Sequence, residues 1–179
     1  MNLEAVRKTC VEMLQQRGYS IVKNDDVSTS SILGKMQGME DIVIFFNETS
    51  KLDVERLKEY ISMMTELGIH HSIIIYKDAV TPVAKKVVEE LPKSAEGKNN
   101  YIIELFEFKS LRYNITKHRL VSKHTALDRK ECIHFKETYG TKIPILLRMD
   151  PIVRFYNFQR GDIIRIDRPE GVVSFRIVK

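Results

Sequence analysis

Cysteine is nearly missing from this 179-residue chain: only Cys10 and Cys132 occur, far apart and outside any Cys-x-x-Cys spacing. That excludes a disulfide framework and a cysteine-built zinc site, and it points to a reducing compartment. No apolar run approaches the roughly 18 residues that a membrane-spanning helix needs. Met1-Asn2-Leu3-Glu4 has no basic stretch leading into an apolar one, so a soluble intracellular protein is expected. Phosphate-cradling motifs are lacking too, both Gly-x-x-x-x-Gly-Lys-Ser/Thr and Gly-x-Gly-x-x-Gly, which argues against a nucleotide cofactor. Ser122 has His118 and His124 nearby but no Gly-x-Ser-x-Gly elbow or glycine-rich oxyanion loop, so nothing supports serine hydrolysis. There is no internal repeat, low-complexity tract or long Gly/Ser linker. No cofactor, resident metal or small-molecule substrate is expected.

With 43% apolar residues the chain can bury a real core, and its net charge of +5 favours polyanionic partners only weakly. Leu3, Val6, Cys10, Met13 and Leu14 recur at helical spacing up to Gly18. Residues 24–38, with Asp25-Asp26, a Ser/Thr cluster and two glycines, read as a loop. Ile42-Val43-Ile44-Phe45-Phe46 is an unbroken β-favouring run suited to a strand buried on both faces. Asp53 is placed to cap a helix with the stripe Val54, Leu57, Tyr60, Ile61, Met64 and Leu67, closed by Gly68. Strands are predicted from Ile69 to Tyr76 and from Tyr101 to Phe108. Between them lies a helix opened by Thr81-Pro82 and stopped by Pro92. Alternating strands and helices predict an α/β domain with parallel neighbours over residues 1–112.

Residues 113–179 read as a small α+β unit. Asp128 and Glu131 form a capping-box pattern at the head of a helix running to Tyr139. Ile143-Pro144-Ile145-Leu146-Leu147, a short helix after Asp150-Pro151, and strands at Asp162–Asp167 and Val172–Val178 complete it, with Arg168-Pro169-Glu170-Gly171 as the turn between the strands.

Asp41 with Glu107-Phe108-Lys109 imitates the Asp…Glu-x-Lys set of metal-dependent nucleases, in which two carboxylates hold a divalent ion and the lysine polarises water. The plain alternative is a solvated strand end, since Glu-x-Lys triplets are frequent in a chain with 30% charged residues. His70 and His71 are strand neighbours pointing to opposite faces and cannot share an ion. His118 and His124 are six apart in an extended segment, and His134 has no i+4 partner. Thr81-Pro82-Val83-Ala84 begins a helix whose N–H groups, followed by Lys85 and Lys86, suit a DNA phosphate without reading sequence; a capped helix with a solvated basic face is the alternative. Arg148, Arg154, Arg160, Arg165, Arg168 and Arg176 suit bidentate docking onto carboxylates of another chain. In Ile164-Arg165-Ile166-Asp167 the alternation turns Arg165 away from the core.

Three blocks in the last third carry a more specific signal: Asn114-Ile115-Thr116-Lys117-His118-Arg119-Leu120-Val121-Ser122-Lys123-His124, Met149-Asp150-Pro151-Ile152-Val153-Arg154-Phe155-Tyr156, and Gln159-Arg160-Gly161-Asp162-Ile163-Ile164-Arg165-Ile166. In this order they resemble the assembly domain of the fifth subunit of eukaryotic RNA polymerases, called the H subunit in archaea. Ser122 stands where that family usually has proline and Asn157 where it has glycine, and Pro169-Glu170-Gly171 shortens the family's last hairpin. Thr81-Pro82-Val83-Ala84-Lys85 is similar to a helix-opening element of the family's jaw domain, whose fold is nuclease-like. The resemblance implies a non-catalytic subunit of a DNA-directed RNA polymerase, shared by polymerases I, II and III in the nucleus. It implies an N-terminal jaw beside downstream duplex DNA, with contacts from Thr81, Pro82, Lys85 and Lys86. It also implies docking on the largest subunit and neighbouring small subunits through His118, Lys123, His124, Asp150, Pro151, Arg154, Tyr156, Arg160, Gly161 and Arg165.

Overall fold

A computed structural model describes residues 3–22, 31–91, 100–169 and 171–179, and Pro92 and Glu170 lie outside the described residues. The chain divides into two compact units, Met1–Tyr113 and Asn114–Lys179. The first contains α1 (Leu3–Gln16), β1 (Ser20–Val22), β2 (Ser31–Lys35), β3 (Ile42–Phe46), β4 (Lys51–Leu52), α2 (Val54–Leu67), β5 (His71–Tyr76), β6 (Ala79–Val80), α3 (Pro82–Glu90) and β7 (Ile102–Glu107). The second contains β8 (Lys123–Ala126), α4 (Arg129–Tyr139), β9 (Ile145–Leu146), α5 (Pro151–Tyr156), β10 (Ile163–Asp167) and β11 (Val173–Val178).

Local chemistry places the helices. Asp53 accepts from the Arg56 N–H at the head of α2, and Gly68 ends it in the left-handed region at φ 66°. Asp128 and Glu131 close a reciprocal capping box on α4. In the first unit the sheet order is β1-β2-β3-β5-β7. β3, β5 and β7 run parallel, joined by crossovers through α2 and α3. All five residues of β3 are buried, as its unbroken apolar run requires of a strand covered on both faces. Pleat parity then sorts the core. Val43, Phe45, Ile74 and Ile103 pack with Leu57, Tyr60, Met64, Ala84 and Val88 of α2 and α3. Ile42, Ile44, Ile73 and Ile75 take the opposite face, where α1 contributes Val6, Cys10, Met13 and Leu14.

One expectation is extended and another corrected. The expected strands are parallel neighbours, and β1 and β2 add to them antiparallel, so the sheet is mixed. Residues 31–35, read as part of a loop, form β2, where Ile32 and Leu33 bury against the core; the remainder of that expected loop lies largely outside the described residues. Tertiary packing outweighed the serine and glycine content of Ser31-Ile32-Leu33-Gly34-Lys35.

In the second unit the sheet order is β8-β10-β11-β9 around a small core of Leu146, Val153, Ile164, Ile166 and Val178. Two of its strands were not assigned from sequence: β8, in the segment holding His124, and β9, in the run Ile143–Leu147. Both are short, and in β8 mostly exposed, so neither shows a period-2 apolar pattern long enough to be read.

Candidate functional site

The start of α3 is built from three local choices. Thr81 N–H donates to Leu52 O at 3.0 Å, tying the cap to the segment ahead of α2 beside the β4–β6 pair. Thr81 Oγ1 accepts from the Ala84 N–H at 3.3 Å, and Pro82 has no N–H to offer. This narrows the donor set expected from sequence to the Val83 N–H plus side chains. Lys85 and Lys86 are exposed, and Lys86 sits 3.9 Å from Glu90 one turn on. An exposed pair of that kind holds its lysine weakly and leaves it available to a stronger anion.

The docking residues expected from sequence spread over the second unit. Asn114 is buried and accepts from the Thr116 N–H at 3.0 Å, starting a one-turn 3-10 helix, Ile115–Lys117. His118, expected in an extended segment, instead ends that turn, its Nδ1 accepting from the Leu120 N–H at 3.3 Å. His124 lies on β8, with Nδ1 2.7 Å from Ser122 O, and Lys123 beside it is exposed. Asp150 accepts from the Ile152 N–H at 2.8 Å, with Pro151 at the first helical position, so the pair opens α5. Arg154 and Tyr156 are half-buried on α5, and Tyr156 stacks on Phe158 with ring centroids 5.1 Å apart. Arg160 and Gly161 form the exposed turn before β10, where Gly161 takes φ 98° and donates to Val178 O at 2.9 Å. Arg165 projects from the non-core side of β10, its Nε 2.8 Å from Asp167 Oδ1. Asp150, Gly161 and Asn114 are thus fold determinants, while Lys123, Arg160 and Arg165 present charge outward.

Asn157, the substitution for the family's glycine, closes α5 at φ 55°, ψ 40°. That left-handed conformation explains both residues, because glycine enters it freely and asparagine tolerates it best among the others. Its carbonyl and Oδ1 also accept from Gln159 Nε2 at 2.7 and 2.9 Å. Asn157→Gly is therefore expected to change stability by no more than a few tenths of a kcal/mol, and Asn157→Ala to lower it by about 1 kcal/mol, read as denaturation midpoints.

The nuclease-like set does not assemble. In the parallel ladder Ile42 aligns with His71 and Ile102, while Glu107 aligns with Tyr76 at the far end. Asp41 and Glu107 are therefore six register positions apart, roughly 20 Å along the strands. Asp41 lies 3.8 Å from Lys35, and Glu107 3.4 Å from Lys109. Among the described residues no three His, Cys, Asp or Glu side chains are grouped to hold a metal ion. His70 stacks on Tyr101 and His71 turns to the other face.

That other face holds a feature sequence reasoning missed. Arg17, just past α1, grips Glu104 of β7 through two bonds of 2.7 and 2.8 Å, and His71 Nε2 lies 2.8 Å from Glu104 Oε1. The Arg17 side chain is 4% exposed and that of Glu104 14%. Burial alone would push the Glu104 carboxyl up. The Arg17 charge and the bonds from His71 and Arg17 outweigh it and hold the group at about 2. The triad pins the end of α1 to two strands, so its work is structural.

Charge divides unevenly between the units. Residues 1–113 carry 15 Lys and Arg against 17 Asp and Glu, and residues 114–179 carry 14 against seven, a net −2 and +7. The whole basic excess belongs to the second unit.

A family model described as RNA polymerase Rpb5, C-terminal domain, matches residues 113–178. A protein of Dictyostelium discoideum named DNA-directed RNA polymerases I, II, and III subunit rpabc1 is 31% identical over 178 residues, spanning 92% of this chain and 88% of its own length. The putative DNA-directed RNA polymerase subunit 454R of Invertebrate iridescent virus 6 is 31% identical over 186 residues, 94% of this chain and 95% of the viral protein. The RPABC1 subunit of Caenorhabditis elegans is 25% identical over 205 residues, with 97% and 93% covered.

Proposed function

This chain belongs to the Rpb5 family, the fifth subunit shared by eukaryotic RNA polymerases, and we propose from that membership a division of labour between its two units. The chain is a non-catalytic subunit of a DNA-directed RNA polymerase. The N-terminal α/β unit serves as a nuclease-like jaw that borders downstream duplex DNA. The C-terminal α+β unit docks on the largest subunit and neighbouring small subunits. The working enzyme is nuclear, and the subunit is common to polymerases I, II and III.

The observation that carries this reading is the coincidence of the matched stretch with the second compact unit, which also holds the three motif blocks and the basic excess. Lys123, Arg160 and Arg165 stand outward there, suited to carboxylates of a partner chain. DNA binding is more local. A unit of net charge −2 gains no long-range attraction to phosphate, so its hold on duplex rests on Lys85, Lys86, the Thr81 hydroxyl and the Val83 N–H at the start of α3, where Pro82 sets the first turn.

Changing both Lys85 and Lys86 to Glu in the assembled polymerase tests this reading. Recovery of the complex should be unchanged, because both lysines are exposed and remote from the motif blocks in sequence. Retention on downstream duplex should weaken, and the slope of log affinity against log salt should flatten by about one unit for each phosphate no longer neutralised. Equal retention across the salt series would refute the jaw's role on DNA, and loss of the complex itself would move α3 into the assembly surface.

A further inference from the structure

Among the described residues, α1, α2, α3 and α5 each bury two or more side chains, and α4 buries none. Its sequence does not make up for that missing packing. Six of its eleven residues, Cys132, Ile133, His134, Phe135, Thr138 and Tyr139, are among the weaker helix formers. A helix this short is marginal in water even when rich in alanine. What holds α4 is local. The Asp128–Glu131 box closes its first turn, Thr138 Oγ1 donates back to His134 O at 2.9 Å, and Phe135 lies along the helix against Tyr139, ring centroids 5.0 Å apart.

The tie to the sheet is narrower. Phe135 meets Phe175 of β11 with centroids 4.5 Å apart, and the Cys132 thiol reaches Leu127 O, just ahead of the cap, at a long 3.7 Å. Ile133 and Tyr139 are 53% and 71% exposed. The sheet has ladders of its own: β10 pairs with β8 and β11, and β11 with β9, so no strand depends on α4 for its hydrogen bonds. Register puts Phe175 on one face with Ile163 and Ile177, while the core of Ile164, Ile166 and Val178 fills the opposite face. An element joined by one aromatic contact opens at a lower free energy than strands that share ladders and a core. We propose that α4 is a strap over the Phe175 face of the sheet, which in the free chain lifts and unwinds as a unit while β8, β10, β11 and β9 stay paired. The lifted state bares Phe175 and the inner side of α4, and it gives the second unit two conformations that differ on one face only. This inference concerns the chain alone and stands apart from the polymerase reading.

Native-state hydrogen exchange of the purified full-length chain, read by mass spectrometry over a series of low urea concentrations, tests it. Amides from Cys132 to Tyr139 should be about a hundredfold less protected than the ladder amides of β10 and β11, and nearly insensitive to urea because lifting α4 exposes little surface. Phe135→Ala should lower α4 protection about tenfold and leave the β10 and β11 amides unchanged, and Asp128→Ala should act similarly from the other end. Equal protection and equal urea slopes in helix and strands would show that α4 opens only when the whole unit unfolds. Helix amides with no protection would mean that there is no closed strap to lift, and a Phe135→Ala variant that weakens the ladders equally would make Phe135 part of a shared core. Any of these three results overturns the proposal.

Discussion

Replacing Arg17 with alanine is expected to destabilise the first unit by about 3–5 kcal/mol, the usual cost of removing one member of a buried ion pair. The reason is less the missing attraction than what stays behind. Glu104 would remain buried with His71 as its remaining partner within the triad, and an uncompensated carboxylate in that setting is costly. Two companion measurements separate this cause from simple loss of packing. Adding Glu104→Leu to Arg17→Ala removes the stranded charge, so the double variant should be more stable than Arg17→Ala alone. The second is pH. The folded carboxyl titrates at about 2, below its ordinary 4.5, so its contribution is fully present above pH 4.5 and is lost as pH falls toward 2. In the alanine variant burial without the guanidinium raises that pKa, and acid relieves the stranded charge. The stability gap between the two proteins should narrow as pH falls, first through the variant's raised pKa and then from 4.5 toward 2, and a gap constant with pH would show that charge is not its cause.

Gly34→Val is expected to cost about 2–3 kcal/mol through overpacking. A Cβ at this position on β2 would meet Ile42 Cγ2 at 3.0 Å, Leu14 Cδ1 at 3.1 Å and Tyr19 Cβ at 3.2 Å. Two of these belong to side chains that are themselves fully buried, so neither can swing aside. Glycine here lets α1 lie close on the antiparallel half of the sheet. Valine's preference for strands would otherwise favour the substitution, which makes its sign informative. Leu14→Ala costs stability alone, but combined with Gly34→Val it opens the space the new methyls need. The pair should therefore lose less than the sum of the singles, measured as urea midpoints. Additive losses would mean that the helix and strand do not meet at Gly34.

The two outcomes differ in how far they could be foreseen. Helix ends are written locally, by Asp53, Gly68, Thr81-Pro82 and the Asp128–Glu131 box, and each lies where its chemistry requires. β3 declares itself by five consecutive apolar residues. The triad has no such signature, because Arg17 and Glu104 are 87 positions apart and each alone resembles a solvated charge. Glu104 gave one faint signal, a carboxylate inside the predicted strand Tyr101–Phe108. The acidic pair Asp41 and Glu107 failed for the converse reason: composition suggested a site, and parallel register put its members at opposite strand ends. In the C-terminal unit the motif blocks were legible as family, but not all their parts were. The short helix after Asp150-Pro151 was legible and is α5, but only the backbone shows that Asn157 is a left-handed cap. β9 was hidden because it is two residues long and only Leu146 of the two is buried, too little to show a strand's alternation.

The central claim is that this polypeptide works as one non-catalytic piece of a polymerase. Its most direct test is native mass spectrometry of the tagged full-length chain purified from its own cells at low salt. The account predicts one copy of the chain in a complex with very large polymerase subunits, and no magnesium- or manganese-dependent cleavage of plasmid by the free chain. A native protein recovered alone, or one that cuts DNA by itself, would contradict it.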